Sequence, residues 1–136
     1  MKRYFLLMCA YSIAVAFSAA CGSGGATEPE TPSVTGVWSG DMLTPPPANG
    51  PRSITLTLQE TNTNVTGSGD IADATGVQYY TCTVSGTHGH PAITLTLNSA
   101  GFAPISLTGS FTNTSTIEAT LNGGGWVNTP VTLTRQ

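Results

Sequence analysis

Charged side chains are scarce in this chain of 136 residues. Lysine and arginine number four, aspartate and glutamate seven, and together they make up 8% of the sequence. Two of the four cations lie at positions 2 and 3, so residues 21–136 carry two arginines against seven carboxylates, a net charge of −5. This balance provides no basic surface for a nucleic acid. An apolar content of 39% with so little charge also fails the composition rule for disordered chains, so we expect a folded domain.

The sequence also lacks the signatures of catalytic and metal sites. It has no Gly-x-Ser-x-Gly elbow and no glycine-rich phosphate loop. Its two histidines, His88 and His90, have the alternate spacing of a hairpin metal site, but no third ligand lies nearby and Pro91 indicates a turn. Asp70 and Asp73 lack the oxygen-rich run of a calcium loop. We therefore expect no enzyme activity, no metal and no cofactor.

The first 20 residues have the anatomy of an export signal. A positive start is followed by an apolar run over residues 4–17 and by small residues at 18–20. The run is shorter than the roughly 20 apolar residues that a transmembrane helix needs. The next residues are Cys21 and Gly22, and this junction resembles the lipobox of bacterial lipoproteins, in which the cysteine thiol is acylated and becomes the mature N-terminus.

The lipobox resemblance implies a signal peptide over residues 1–20 and a membrane anchor at the acylated Cys21. In that family, Gly22 rather than aspartate after the cysteine implies the outer membrane of a bacterial envelope. Ordinary cleavage after Ala20, which would give a secreted or periplasmic protein, remains the alternative. Residues 21–33 are rich in Gly, Ser and Pro without apolar periodicity, and so predict a flexible tether. The remaining thiol, Cys82, is expected to be buried as a small hydrophobe.

From residue 34 onward, apolar side chains recur with a period of two, which is typical of half-buried β-strands. Eight such segments are present: 34–40, 53–60, 65–71, 79–86, 92–98, 104–112, 116–122 and 129–135. Their outward positions are mostly Ser and Thr, which suit a pleated surface. Such a series forms either a sandwich or a barrel. We predict an all-β domain over residues 34–136, an eight-stranded antiparallel up-and-down meander barrel in which strand 1 pairs with strand 8.

The connections between these segments favour the barrel because they alternate in length. Short polar turns follow the second, fourth and sixth segments, whereas longer connections span 41–52, 72–78, 99–103 and 123–128. Alternate connections of a meander lie at opposite ends, so we expect one closed end and one open end. The pentapeptide Ile-Thr-Leu-Thr-Leu occurs at both 54–58 and 93–97, which favours a regular meander built from similar hairpins.

Gly36 and Trp38 in the first strand, together with Arg135 in the last, resemble the calycin pattern shared by lipocalins and avidin-like barrels. In that family a Gly-x-Trp opens the barrel, and its Trp packs near an Arg of the final strand at the closed end. The resemblance implies structural closure by Gly36, Trp38 and Arg135. Stacking of the guanidinium on the indole would contribute on the order of 0.5–2 kcal/mol.

Apolar and aromatic side chains are expected to converge at the open end, where they would form a candidate binding rim. Its members are Met42, Leu43, Ile71, Phe102 and Trp126. Alternatively, the two aromatic residues fold inward as plugs. The inward glycines at 67, 69 and 109 would either open a cavity or let the strands bend.

These observations predict a lipid-anchored, non-catalytic monomer that binds a small apolar ligand or an envelope protein at the open end. The sequence leaves two alternatives. Some bacterial protease inhibitors use calycin-like barrels, so the chain could inhibit an exported protease. It could also be a structural surface lipoprotein whose main property is its neutral Ser/Thr surface.

Overall fold

The computed structural model describes the backbone of residues 31–44, 50–73 and 78–136 and the side chains of 31–42, 52–72 and 81–136. The predicted signal peptide, Cys21 and most of the tether lie outside these residues. The strands are β1 (Gly36–Thr44), β2 (Gly50–Thr61), β3 (Asn64–Asp73), β4 (Gln78–Gly89), β5 (Ala92–Asn98), β6 (Ile105–Asn113), β7 (Thr116–Gly123) and β8 (Trp126–Arg135). Within the described ranges, no helix is long and apolar enough to span a membrane.

Each strand pairs with its sequence neighbours in antiparallel fashion, and β8 pairs back onto β1, so the sheet is a closed barrel in meander order. The predicted fold class and the pairing of the first and last strands are therefore confirmed, and the sandwich is excluded. Closure pairs the two strands that would otherwise form the edges of the sheet.

Three predicted connections differ from the structure. Residues 41–44 and 50–52 belong to β1 and β2 rather than to a connection, and His88 and Gly89 belong to β4 rather than to the turn after it. Residues 123–128 do not form a long loop, because β7 and β8 are joined by the two-residue turn Gly124–Gly125 and Trp126 already belongs to β8. The turn needs positive φ at both residues, 59° at Gly124 and 94° at Gly125, and glycine adopts such backbone without strain. Gly124 and Gly125 therefore make a tight hairpin between β7 and β8.

The closed end consists of three two-residue turns, which lie between β2 and β3, between β4 and β5, and between β6 and β7. Neighbouring hairpins are joined there by backbone hydrogen bonds from strand amides to turn carbonyls. Each is 2.9 Å long, and they run from His88 N to Thr63 O, from Phe111 N to Pro91 O, and from Arg135 N to Ser115 O. These bonds link each closed-end turn to the next strand around the barrel and so stabilise this end.

The interior is packed with side chains from all eight strands. Leu56, Leu95, Leu107 and Leu133 are each fully buried in one apolar cluster. Cys82 also belongs to it, and its thiol donates to a backbone carbonyl at 3.4 Å, so the predicted burial of this cysteine is confirmed.

The inward glycines let strands approach one another rather than opening a cavity. A Cβ on Gly67 would lie 2.1 Å from the carbonyl oxygen of Thr57, and one on Gly86 would lie 2.0 Å from that of Thr94. The backbone of the neighbouring strand therefore occupies the space that a side chain would need. Of the two alternatives for these glycines, the structure favours bending of the strands.

The seam between β1 and β8 has the shortest ladder of the barrel. Only Trp38 with Arg135 and Ser39 with Thr134 are paired, and the Gln136 amide donates to the Val37 carbonyl at 2.9 Å. Alternate residues of β8 direct their N–H toward β1, so the position of Pro130 faces β1 and has no donor. Pro130 therefore removes one of the donors that this row could offer to β1 nearer the open end.

Candidate functional site

The predicted rim residues divide between the core and the surface. Met42, Ile71 and Trp126 are at most 7% exposed and belong to the buried cluster. Phe102, by contrast, is 59% exposed. The side chain of Leu43 lies outside the described part of the chain. The structure thus brings three of the five together inside the barrel, with Trp126 in the inward position expected of a plug.

A second exposed apolar residue at the open end was not predicted. Val127 is 72% exposed, directly after the buried Trp126. The signal was present in the sequence: once Trp126 is assigned to the inward face of a strand, alternation places Val127 on the outside. The prediction missed it because it assigned residues 123–128 to a loop.

The loop that carries Phe102 is held against the β7–β8 hairpin. Its own turn is closed by a hydrogen bond from the Phe102 amide to the Ser99 carbonyl at 3.2 Å. The carbonyl oxygen of Pro104 approaches Gly123 so closely that a Cβ there would be 2.4 Å away. On the hairpin, the Asn128 amide donates to the Asn122 side chain at 2.9 Å. Phe102 and Val127 are therefore presented by ordered backbone.

At the closed end, the structure brings Gly36, Trp38 and Arg135 together. The guanidinium carbon of Arg135 lies 4.4 Å from the centre of the fully buried Trp38 ring. Gly36 has a φ of 138°, and a Cβ at that position would lie 2.9 Å from Arg135 Nη1. Glycine at position 36 therefore makes room for the guanidinium as well as allowing the backbone conformation.

The three residues before Gly36 are bound to the barrel from two sides, and we call Ser33, Val34 and Thr35 the latch. On one side, the Arg135 guanidinium donates to the carbonyls of Ser33 and Thr35. On the other, one carboxylate oxygen of Glu60 accepts from the Ser33 hydroxyl at 3.0 Å and from the Val34 amide at 2.9 Å. The Val34 side chain is fully buried, so the latch contributes to the core.

Opposite charges thus fix the latch, and the Trp38 indole adds a third contact. Its Nε1 donates to the Val34 carbonyl at 2.8 Å. Burial alone would raise the pKa of the Glu60 carboxyl. Hydrogen bonds from the Val34 amide, the His88 ring and the Ser33 hydroxyl outweigh burial and hold that pKa below its usual value.

The second oxygen of Glu60 lies 2.7 Å from Nδ1 of His88. The His88 ring is buried and packs against Phe111, with ring centres 5.1 Å apart. Phe111 in turn meets Trp38 edge-on at 5.6 Å. Placing His88 in a turn was therefore wrong, because β4 continues to Gly89 and the turn is His90–Pro91. Extending the alternation of Cys82 and Val84 by four residues would have identified His88 as an inward position.

A shallow groove of about 330 Å³ lies beside this pair, between the chain entering the barrel and two of the closed-end turns. Its lining residues include Ser33, Glu60, Asn62, His88 and His90. Within the described parts of the chain, no group of three or more His, Cys, Asp or Glu residues is placed to hold a metal ion.

No family model matches the sequence, and no curated protein matches it. Among solved structures, the chain is similar to a de novo designed fluorescence-activating β-barrel, with a TM-score of 0.60 and 14% sequence identity. The match covers 75% of this chain and 93% of the designed protein. At this level of identity, the likeness shows the β-barrel fold alone.

Proposed function

We propose that the protein is a lipid-anchored bacterial envelope protein that binds a protein partner through the open end of its barrel, without catalysis. The observation that carries this proposal is the exposure of Phe102 and Val127 on ordered backbone at one end of a barrel whose interior is packed. A partner that covers these two side chains would remove apolar surface from water, which favours association. Because the inward side chains that the structure describes form one apolar cluster, we favour a surface partner over a small apolar ligand inside the barrel.

The end at which the chain enters the barrel supports an open end that faces away from the membrane. The latch binds residues 33–35 at the closed end, opposite the end that carries Phe102. If Cys21 is acylated, as the lipobox resemblance implies, the membrane lies on the closed-end side. The 13 residues of the tether span at most about 45 Å when extended. The open end would then face away from the membrane, where a partner can reach it.

The arrangement of Gly36, Trp38 and Arg135 supports a calycin-like closure of the barrel, as the sequence resemblance implied. This closure involves the closed end alone, so the open end is available for the recognition surface. The neutral Ser and Thr side chains of the wall offer few charges for ionic recognition. We therefore expect a partner that presents an apolar pocket surrounded by neutral polar groups.

Position-specific crosslinking in the native envelope tests this proposal. A photo-activatable phenylalanine analogue replaces Phe102 or Val127 in the full chain, with Val37, which is 38% exposed on β1, as the control position. We expect the same discrete protein adduct from both open-end positions and none from Val37. Adducts that are absent, or identical from all three positions, would refute binding by the open end.

The double variant Phe102→Ser/Val127→Ser provides a second test. Because both side chains are largely exposed, we expect the double variant to remain folded, with a loss of no more than about 2 kcal/mol in the free energy of unfolding, while the adduct at a neighbouring crosslinking position disappears. For the anchor, metabolic labelling with a radioactive fatty acid should mark the wild-type chain but not Cys21→Ser. Equal labelling of the two would contradict acylation at that cysteine.

A further inference from the structure

One buried polar atom at the closed end has no partner. In the part of the chain that the structure describes, Nε2 of His88 is a buried side-chain nitrogen without a hydrogen bond, and the residue is 5% exposed. Leaving such a group unsatisfied costs about 1–3 kcal/mol. An unsatisfied atom of this kind in a native protein has a specific cause, and a bound water or ion is one such cause.

The surroundings of His88 set the state of that nitrogen. The Glu60 carboxylate lies 2.7 Å from Nδ1, and its other oxygen is occupied by the latch. An ionised carboxylate only accepts, so the neutral ring must carry its proton on Nδ1 and keep a lone pair on Nε2. A histidine that donates one ring N–H to a carboxylate and presents the other nitrogen as a lone pair is the arrangement that supports metal ligands in proteins.

A second imidazole lies close by. The ring centres of His88 and His90 are 6.1 Å apart and their planes are at 87°. An ion about 2.0–2.1 Å from one nitrogen of each ring places the two ring centres roughly 5–6 Å apart. His90 is exposed and lines the same groove as His88, and the site requires its ring to turn so that one of its nitrogens faces Nε2 of His88.

We propose that His88 and His90 form an open, two-imidazole site for a divalent transition-metal ion, with Glu60 orienting His88. Imidazole ligands favour Zn²⁺ and Cu²⁺ over Mg²⁺ or Ca²⁺. Water in the groove completes the coordination, since no third His, Cys, Asp or Glu of the described residues is placed to bind. Such a site holds an exchangeable ion rather than a structural one.

The test is a titration of the ¹⁵N-labelled, untagged full chain with Zn²⁺, observed through the imidazole nitrogens by NMR. The chain has two histidines, so four ring nitrogens report on all imidazole binding. Because ring nitrogens are observed, zinc bound by cysteine thiols does not disturb the readout. We expect His88 Nε2 and one nitrogen of His90 to shift together and to saturate at one ion per chain.

Three variants define the site. His90→Asn removes a ligand at an exposed position and is expected to weaken binding by about tenfold or more. Glu60→Gln removes the orienting carboxylate and is expected to weaken binding by about 10–100-fold. Glu118→Gln changes an exposed carboxylate on β7 and should leave the titration unchanged.

The wild-type titration can overturn the proposal by itself, even if Glu60→Gln does not fold. A His88 Nε2 that stays unshifted at saturating Zn²⁺, or that already carries the proton in the metal-free chain, rules out the site. A shift confined to His90 would show binding by an exposed imidazole alone and also rules it out. Equal affinity of wild type and His90→Asn does the same.

Discussion

Replacing Val34 by alanine tests whether the latch is part of the core. Val34 lies before the first strand, yet its side chain is fully buried and its backbone is bound by Glu60 and Trp38. The substitution removes methyl groups and leaves these backbone hydrogen bonds in place. The measured effect should therefore report on packing alone.

The magnitude follows from the burial. Each buried methyl or methylene contributes about 0.8 kcal/mol, so the transfer contribution of the two methyl groups is about 1.5 kcal/mol. The surrounding barrel cannot collapse fully into the space, which adds a cavity contribution. We expect Val34→Ala to lower the free energy of unfolding by about 2–3 kcal/mol. Val37→Ala is the matched control, three residues away and 38% exposed, and should cost less than about 1 kcal/mol.

Urea unfolding of the full chain, followed by circular dichroism and by tryptophan fluorescence, measures both variants. The midpoint should fall for Val34→Ala at an unchanged slope, which would indicate a change in stability rather than in the extent of unfolding. Equal and small effects of Val34→Ala and Val37→Ala would refute the inclusion of the latch in the core. The conclusion that the chain enters the barrel in a fixed position at the closed end would then lose its main support.

Three further perturbations test the closed end and the wall. The Glu60 pKa is lowered in the folded chain, so Glu60 stabilises the fold above its unfolded-state pKa and this contribution is lost as the pH falls through the folded pKa. Urea midpoints measured down to about pH 3 should fall less steeply in Glu60→Gln, and an unchanged acid profile would contradict this. Gly86→Ala places a Cβ 2.0 Å from the Thr94 carbonyl and should cost about 3 kcal/mol or more. Gly89→Ala is the control, because its Cβ would meet nothing within 4 Å, and it should cost less than about 1 kcal/mol. Thermal unfolding measures both variants, and similar losses of stability would refute the close approach of β4 and β5. Arg135→Lys loses the stacking on Trp38 and the paired hydrogen bonds to the latch carbonyls, so the free energy of unfolding should fall by about 1–2 kcal/mol and the tryptophan emission should change. Wild-type stability and emission would contradict this role of Arg135.

Local alternation was sufficient to predict the wall of the barrel. The inward rows of Ile and Leu in β2 and β5 are buried as expected, and β5 spans Ala92–Asn98 as predicted. Pro91 before this strand interrupts the ladder, which makes its start unambiguous. Ring closure was also predicted, because the repeated hairpins favoured a meander and a meander of eight strands leaves two edges to pair.

The features that alternation did not reveal depend on partners far along the chain. Glu60 and His88 are separated by 28 residues, and Arg135 reaches the Ser33 carbonyl across 102. No local pattern indicates that a carboxylate near a hairpin will bind both a histidine and the chain entering the barrel. For the same reason Val34 was expected at the start of a strand, whereas the structure uses it as part of the latch.

Closure of the barrel between β1 and β8 is the claim on which the two ends and their roles depend. Trp38 and Arg135 form a non-hydrogen-bonded pair across this seam, in which the α-carbons are about 4.5 Å apart and the α-protons are in direct contact. A nuclear Overhauser experiment on the full chain should therefore show a strong cross-peak between the Hα of Trp38 and the Hα of Arg135. Absence of that cross-peak, when the corresponding cross-peaks between β1 and β2 are present, would show an open sheet and contradict the barrel.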